Sequence, residues 1–263
     1  MAAPDDRLPI SVLLLVRDET RDVEELLPTL AFAREVVVVW DPRGERSARD
    51  AAERLGAHVH DRPFDGFGPQ RAFALSRCTQ DWVLWIDADE RLDPASIPTL
   101  QRVTAMGALH STVVMALRTT TFLGRRIRFC GWGGDWLPRL FTRQTASFDD
   151  AAVHERLQLD RSTVLAGMGP FGLEHLSYRT WDDCVSKMVR YAHANAEKSW
   201  RAGRRAGPLD VLWRPPLRFI RMYLLQQGFR EGAHGVVLCG FAAAQVFLKY
   251  AELWQRSRSG ARA

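Results

Sequence analysis

Paired cysteines, long apolar runs and internal repeats are all missing from this chain. Its four cysteines, Cys78, Cys130, Cys184 and Cys239, lie far apart and form no CxxC pair. That spacing argues against a disulfide framework or a zinc site and predicts reduced thiols in a cytoplasmic protein. No long apolar segment accompanies the early acids Asp5 and Asp6, so a secretory signal is not expected. In the C-terminal third the longest uninterrupted apolar run is Val236–Ala244, far short of the ~20 residues that span a bilayer. Low-complexity tracts are absent as well.

What is present is an ordinary globular composition, 263 residues with 46% hydrophobic and 25% charged. This suffices for one large α/β domain, or one domain with a substantial appendage. A net charge of +5 and a pI near 9.3 suit an anionic partner. Phosphate, a lipid head group and nucleic acid all qualify. The N-terminal part alternates between two patterns. Short apolar runs, "ISVLLLV" (Ile10–Val16), "EVVVVW" (Glu35–Trp40) and "DWVLWID" (Asp81–Asp87), read as strands buried on both faces. "AHVHDRP" is a shorter strand among them. Between the strands, Asp22–Ala33, Ser47–Gly56 and Gly68–Cys78 read as helices. Pro28 sits in a first turn or kinks the first helix, and Gly56 closes the second. The alternation predicts an α/β fold, a doubly wound, mostly parallel sheet with right-handed crossovers.

Three of these strand ends carry acid. Asp18, Asp41 and Asp87 lie at or just past carboxyl ends, where open parallel sheets bind ligands, so they are expected to converge on one crevice. In "VLWIDADERLDP" (Val83–Pro94), Asp87 and Asp89 stand on either side of Ala88, with Glu90 next in line. Such a pair suits a hard divalent cation, which takes one or two protein carboxylates and fills its shell with water and substrate phosphates. The plainer alternative is a solvated acidic turn, with Asp93-Pro94 opening the next helix.

"ISVLLLVRDE", "VVVVWD", "GFGPQRAFAL", "DWVLWIDADER", "RLFTR" and "VHERL" occur in the order seen in glycosyltransferase family 2. With "LRFIRMYLLQQGF" and "FLKYAELW" near the end, the chain most resembles bacterial lipopolysaccharide-core β-glycosyltransferases of the WaaE type. The resemblance covers roughly residues 10 to 255. It implies a GT-A (Rossmann-like) fold, a nucleotide-sugar donor such as a UDP-sugar, a divalent metal (Mg²⁺ or Mn²⁺) and inversion at the anomeric carbon. A lipid-linked or lipopolysaccharide-core acceptor follows from it too, and no nucleic-acid partner. Within the family's pattern Asp89 matches a metal ligand, with Asp87 near the ribose or sharing the ion. Val16, Asp18 and Asp41 match positions around the nucleotide, Asp41 being the carboxylate that meets the nucleoside. Arg71 falls where the family has a basic residue near the nucleotide, and a fixed positive charge there serves a diphosphate. Glu155, in "AAVHERLQL", matches the catalytic base that takes the acceptor hydroxyl's proton. His154 beside it reads as an orienting or packing residue.

The chain departs from its relatives in three places. Asp18 stands where they have Asn, "WDPRGERS" replaces a Ser/Thr-rich turn, and Ala72 replaces an Asn. These changes leave the metal motif intact but bear on base and sugar specificity, and leave open a degenerate relative that binds without turnover. A sugar nucleotidyltransferase is the nearest enzymatic rival. Its glycine-rich phosphate loop is missing after the first strand, where "VRDETRD" stands.

Residues 119–148 contain "GRRIRFCGWGGDWLPRLFTR", in which Gly131, Gly133 and Gly134 permit a loop of unusual dihedrals. Trp132, Trp136 and Arg139 are candidates to meet the donor sugar or the acceptor; equally, the tryptophans could pack the far end of the sheet. Further on, seven arginines and a single acid, Asp210, lie between Arg201 and Arg230, interleaved with apolar residues. The organisation expected is a catalytic domain over 1–180 and a helical, basic region over 181–263. Arg214, Arg218 and Arg221 are candidate contacts to an anionic membrane surface, which makes the protein peripheral on the inner face of the cytoplasmic membrane. The alternative is a helical hairpin with its arginines in water. A nucleic-acid-binding protein is the reading from another class, but no helix-turn-helix, RRM or zinc-finger pattern supports it.

Overall fold

The computed structural model describes residues 6–107, 112–148, 157–159, 164–165 and 171–260. The chain begins β1 (Leu8–Val16), α1 (Thr20–Leu26), β2 (Ala33–Trp40), α2 (Arg46–Arg54), β3 (His58–Asp61), α3 (Phe67–Arg77) and β4 (Trp82–Trp85). It continues with β5 (Glu90–Leu92), α4 (Ile97–Ala105), β6 (Thr112–Phe122), β7 (Arg125–Ile127), β8 (Asp135–Thr142) and β9 (Ala146–Phe148). Three further strands, β10 (Leu157–Leu159), β11 (Val164–Leu165) and β12 (Phe171–Tyr178), lead to α5 (Trp181–Arg201), α6 (Pro208–Ile220) and α7 (Ala233–Gly260).

The main sheet runs β3-β2-β1-β4-β8-β6-β12-β5. Strands β3, β2, β1 and β4 are parallel to one another, as the strand–helix alternation predicts. The sheet as a whole is mixed, because β8 joins β4 and β6 in antiparallel sense. After α4 no further α-helix is found among the described residues until α5. Strands β6 and β8, joined through β7 without a crossover helix, pair antiparallel.

Both faces of the parallel half are covered, which is why its strands read as continuous apolar runs. Val12, Leu14, Val38 and Leu84 pack with Val23 and Leu26 of α1, Ala48 and Ala52 of α2, and Leu100 and Val103 of α4. Their neighbours Leu13, Val37, Val39 and Val83 face the other way, onto Ala74 and Leu75 of α3 and onto Phe141 and Phe148. The helix expected over Asp22–Ala33 is shorter than its pattern. It ends at Leu26, Leu27–Leu30 tighten into a 3₁₀ turn around Pro28, and Ala33 already belongs to β2. Proline lacks the N–H that an α-helix needs there.

The fold divides into two compact units, residues 1–118 with 135–175 and residues 119–134 with 176–263. The second has its own core of Phe122, Ile127, Cys130, Cys184, Met222, Leu238 and Cys239. Within it α7 packs against α5 and α6. Gln245 and Lys249 interrupt the apolar letters of α7 but not the helix. Ala233–Arg258 is therefore long and apolar enough, by length and composition, to cross a membrane, where run length alone predicts too short a segment.

Candidate functional site

The carboxyl ends of β1, β2 and β4 lie side by side, since Val16 pairs with Trp40 and Leu13 with Trp85. The loops that follow β1 and β2 are tied to each other. Asp41 N–H donates to Val16 O (3.0 Å), Trp40 Nε1 donates to Arg17 O (3.1 Å) and Glu45 N–H donates to Asp18 Oδ1 (2.9 Å). Gly44 completes the turn where only glycine fits, because a Cβ there would lie 2.3 Å from Arg17 O. Asp41 is buried, and both its oxygens accept from the Arg43 guanidinium at 2.8–3.1 Å. Phe64 N–H donates to it as well (3.3 Å). The Arg43 hydrogen bonds hold Asp41 below the usual carboxylate range against the cost of burial. Arg43 also reaches Phe64 O at 2.9 Å, so the expected nucleoside carboxylate links the end of β2 to the loop before α3.

Beyond β4 the structure brings together Arg71, Asp87 and Arg139. Arg71 donates to Asp87 Oδ1 (3.2 Å), Arg139 to Asp87 Oδ2 (3.0 Å), and Trp85 Nε1 to Asp87 Oδ1 (3.1 Å). Both guanidinium groups lie over the Trp85 ring, at 4.0 Å for Arg71 and 4.4 Å for Arg139. Arg139 also meets the fully buried Glu90 at 2.6 Å, and Glu90 accepts from Asp87 N–H at 3.1 Å. Burial opposes ionisation of Asp87, but Arg139 and then Arg71 outweigh it and hold the carboxyl well below its ordinary range. Burial, reinforced by the charge on Asp87, pushes Glu90 upward. Asp89 faces elsewhere: its Oδ2 lies 3.2 Å from His175 Nε2. Strand β12 supplies that histidine, whose backbone pairs with Glu90 on β5.

Two expectations change here. Arg139 is not in a loop; it sits in β8, buried between Asp87 and Glu90. Trp132 takes the packing alternative, with ring centroids 5.3 Å from Tyr178 and 6.3 Å from Phe122, whereas Trp136 is exposed on β8. Val16 is buried and contributes its carbonyl. Glu155 and His154 lie outside the described residues. The sequence pattern missed Trp85, Glu90, His175 and Arg118, whose Nη1 lies 3.5 Å from Glu90 Oε1, as partners of the site. Glu90 had a signal, its place next to the acidic pair; His175, 86 residues from Asp89, had none.

Residues 21–155 match the model of Glycosyl transferase family 2, about half of the chain. The chain belongs to glycosyltransferase family 2. Over 97% of its length it is 26% identical to the lipopolysaccharide core biosynthesis glycosyltransferase LpsC of Rhizobium meliloti (strain 1021), covering 96% of that protein. It is 34% identical to an uncharacterized glycosyltransferase of Rickettsia prowazekii (strain Madrid E), over 93% of this chain and 86% of that one. Among solved structures, S. aureus TarS 1-349 in complex with UDP aligns over 95% of this chain and 91% of that chain, at 12% identity and a TM-score of 0.43. This family 2 member is a glycosyltransferase, and its mixed sheet with flanking helices is of the GT-A type.

Proposed function

We propose that this glycosyltransferase moves a sugar from a nucleotide-sugar donor, a UDP-sugar, to a lipid-linked or lipopolysaccharide-core acceptor, with inversion at the anomeric carbon. The observation that carries the reading is the set of acidic ends on adjacent parallel strands, Asp18, Asp41 and Asp87, with Asp89 beside them in a chain of this family. The relative LpsC, by its name a lipopolysaccharide core enzyme, supports the acceptor class.

The residues present fit a divalent cation, Mg²⁺ or Mn²⁺. Asp89 Oδ2 and His175 Nε2 offer an oxygen and an imidazole nitrogen 3.2 Å apart. Among the described residues no cluster of three or more His, Cys, Asp or Glu is disposed to hold an ion. A hard divalent cation takes one or two protein carboxylates and fills its remaining positions with water and donor phosphates. When bound, the cation stabilises negative charge on the departing nucleoside diphosphate. Asp87, fixed and kept ionised by Arg71 and Arg139, orients the ribose. Asp18, the Val16 carbonyl and the Asp41–Arg43 pair line the nucleoside side. Glu155 takes the proton of the acceptor hydroxyl as it attacks. We place the catalytic domain over 1–180, of which 119–134 and 176–180 belong to the second compact unit, and the basic region over 181–263 keeps the enzyme on the cytoplasmic face of the membrane.

The deciding experiment screens nucleotide sugars with membrane lipid extract, with Mn²⁺ or with chelator, and measures nucleoside diphosphate release and sugar incorporation. Metal-dependent incorporation from one donor is expected. Pyrophosphate release from a nucleoside triphosphate would instead make it a nucleotidyltransferase, and donor binding without turnover a degenerate relative.

A further inference from the structure

Helix α6 turns its apolar side outward. Leu209, Leu212, Trp213, Leu217, Ile220 and Leu224 recur every three or four residues and therefore form one stripe. The helix runs on through a π turn over Arg221–Leu225, which carries the stripe to Leu224. Each of the six is 47% to 69% exposed, and no residue of α6 is buried. The other side of α6 is the one occupied, by α7. Single exposed apolar residues are commonplace, but a contiguous row marks a contact surface. One flank is basic. Arg221 borders the stripe, and the one acid on the helix, Asp210, is already paired with Arg214 at 2.6 Å, whereas Arg218 lies round on the side that faces α7. Excess positive charge beside an exposed apolar stripe complements anionic head groups around an apolar interior.

We propose that the outward stripe of α6 inserts shallowly into an anionic bilayer surface, lying in its plane, with Arg221 at the lipid phosphates. The lipid-linked acceptor proposed above gives this anchor its purpose, and in that respect the inference rests on that reading. Helix α7, although long enough to span, then serves as the support on which α6 lies.

The test uses the full chain and phosphatidylcholine vesicles with and without phosphatidylglycerol, read by co-sedimentation. The parent should pellet with the anionic vesicles. Leu212→Gln/Leu217→Gln should lower its partition coefficient by on the order of tenfold or more. Arg221→Gln should lower it about fivefold, an effect that disappears at high salt. Because Leu212, Leu217 and Arg221 are exposed, unchanged circular dichroism is expected in both variants. Pelleting of the leucine variant like the parent, or equal pelleting with neutral vesicles, overturns the proposal. So does a parent dimer that the leucine variant converts to monomer with vesicle binding unaltered. Transfer to a delipidated oligosaccharide acceptor in vesicle-free solution reads the glycosyl transfer by itself, so that either conclusion can fail while the other stands.

Discussion

Both carboxylate oxygens of Asp87 accept from arginines, while Asp89 Oδ2 meets a ring nitrogen of His175. At Asp87 a cation must compete with two fixed guanidinium charges, so Asp89 is the residue whose substitution should change the response to metal. Asp89→Asn keeps the shape and removes the charge that a hard cation needs. Calorimetry with and without Mn²⁺ should show donor affinity falling by on the order of 10²-fold, in the metal-containing series only. A metal response like that of the parent would take Asp89 off the ion. Glu155→Gln belongs to the same scale. It keeps volume and hydrogen bonding but cannot accept the acceptor's proton, so transfer should fall by about 10²–10⁴-fold with donor affinity unchanged. Transfer at the parent rate would mean that the base lies elsewhere.

At the scale of elements, β8 is what completes the acidic site. Leu84 pairs with Leu140, and one step further along the register brings Arg139 beside Trp85, whose ring its guanidinium covers. Arg139 then bridges the loop after β4 and the first residue of β5. Removing one partner of a buried charge network leaves the other uncompensated. Arg139→Met should therefore cost about 3–5 kcal/mol in urea unfolding. Adding Glu90→Leu removes the stranded carboxylate, and the double variant should recover part of that loss. If the single variant is as stable as the parent, the network does not support the fold. The strands of this region were legible because burial on both faces demands apolar residues at every position, as in Leu13 and Leu14. The premature end of α1 was less so, since Pro28 is compatible with a first turn, a kink or a stop.

For the molecule as a whole, a donor that binds the folded state alone must raise its thermal stability. At about 100 times its dissociation constant the gain is about 2.7 kcal/mol, or roughly 5–10 °C in a chain of this size. Scanning fluorimetry with UDP-sugars and Mn²⁺ should show that rise, and chelator should abolish it. An equal rise in chelator would mean that the donor binds without the ion; no rise with any nucleotide sugar would count against a donor site at these strand ends. The basic balance of the chain is a property of the same scale: a net charge of +5 favours an anionic surface but cannot say where on the molecule contact is made.

The sequence by itself determined the alternating strands and helices, the acids at three strand ends and the DxD pair, because each is a local pattern whose physical cause lies within a few residues. It also carried the family. Only the tertiary structure decided which groups meet. His175 reaches Asp89 across 86 residues and Arg139 reaches Asp87 across 52, through strands whose pairing no local period specifies. The same holds for Trp132, packed against Tyr178, and Trp136, left exposed, although both come from one glycine-rich stretch. Helix α6 shows the division most plainly. Its three-to-four spacing establishes that one side is apolar, but periodicity has no inside or outside. The packing of α7 on the opposite side turns the apolar stripe to solvent.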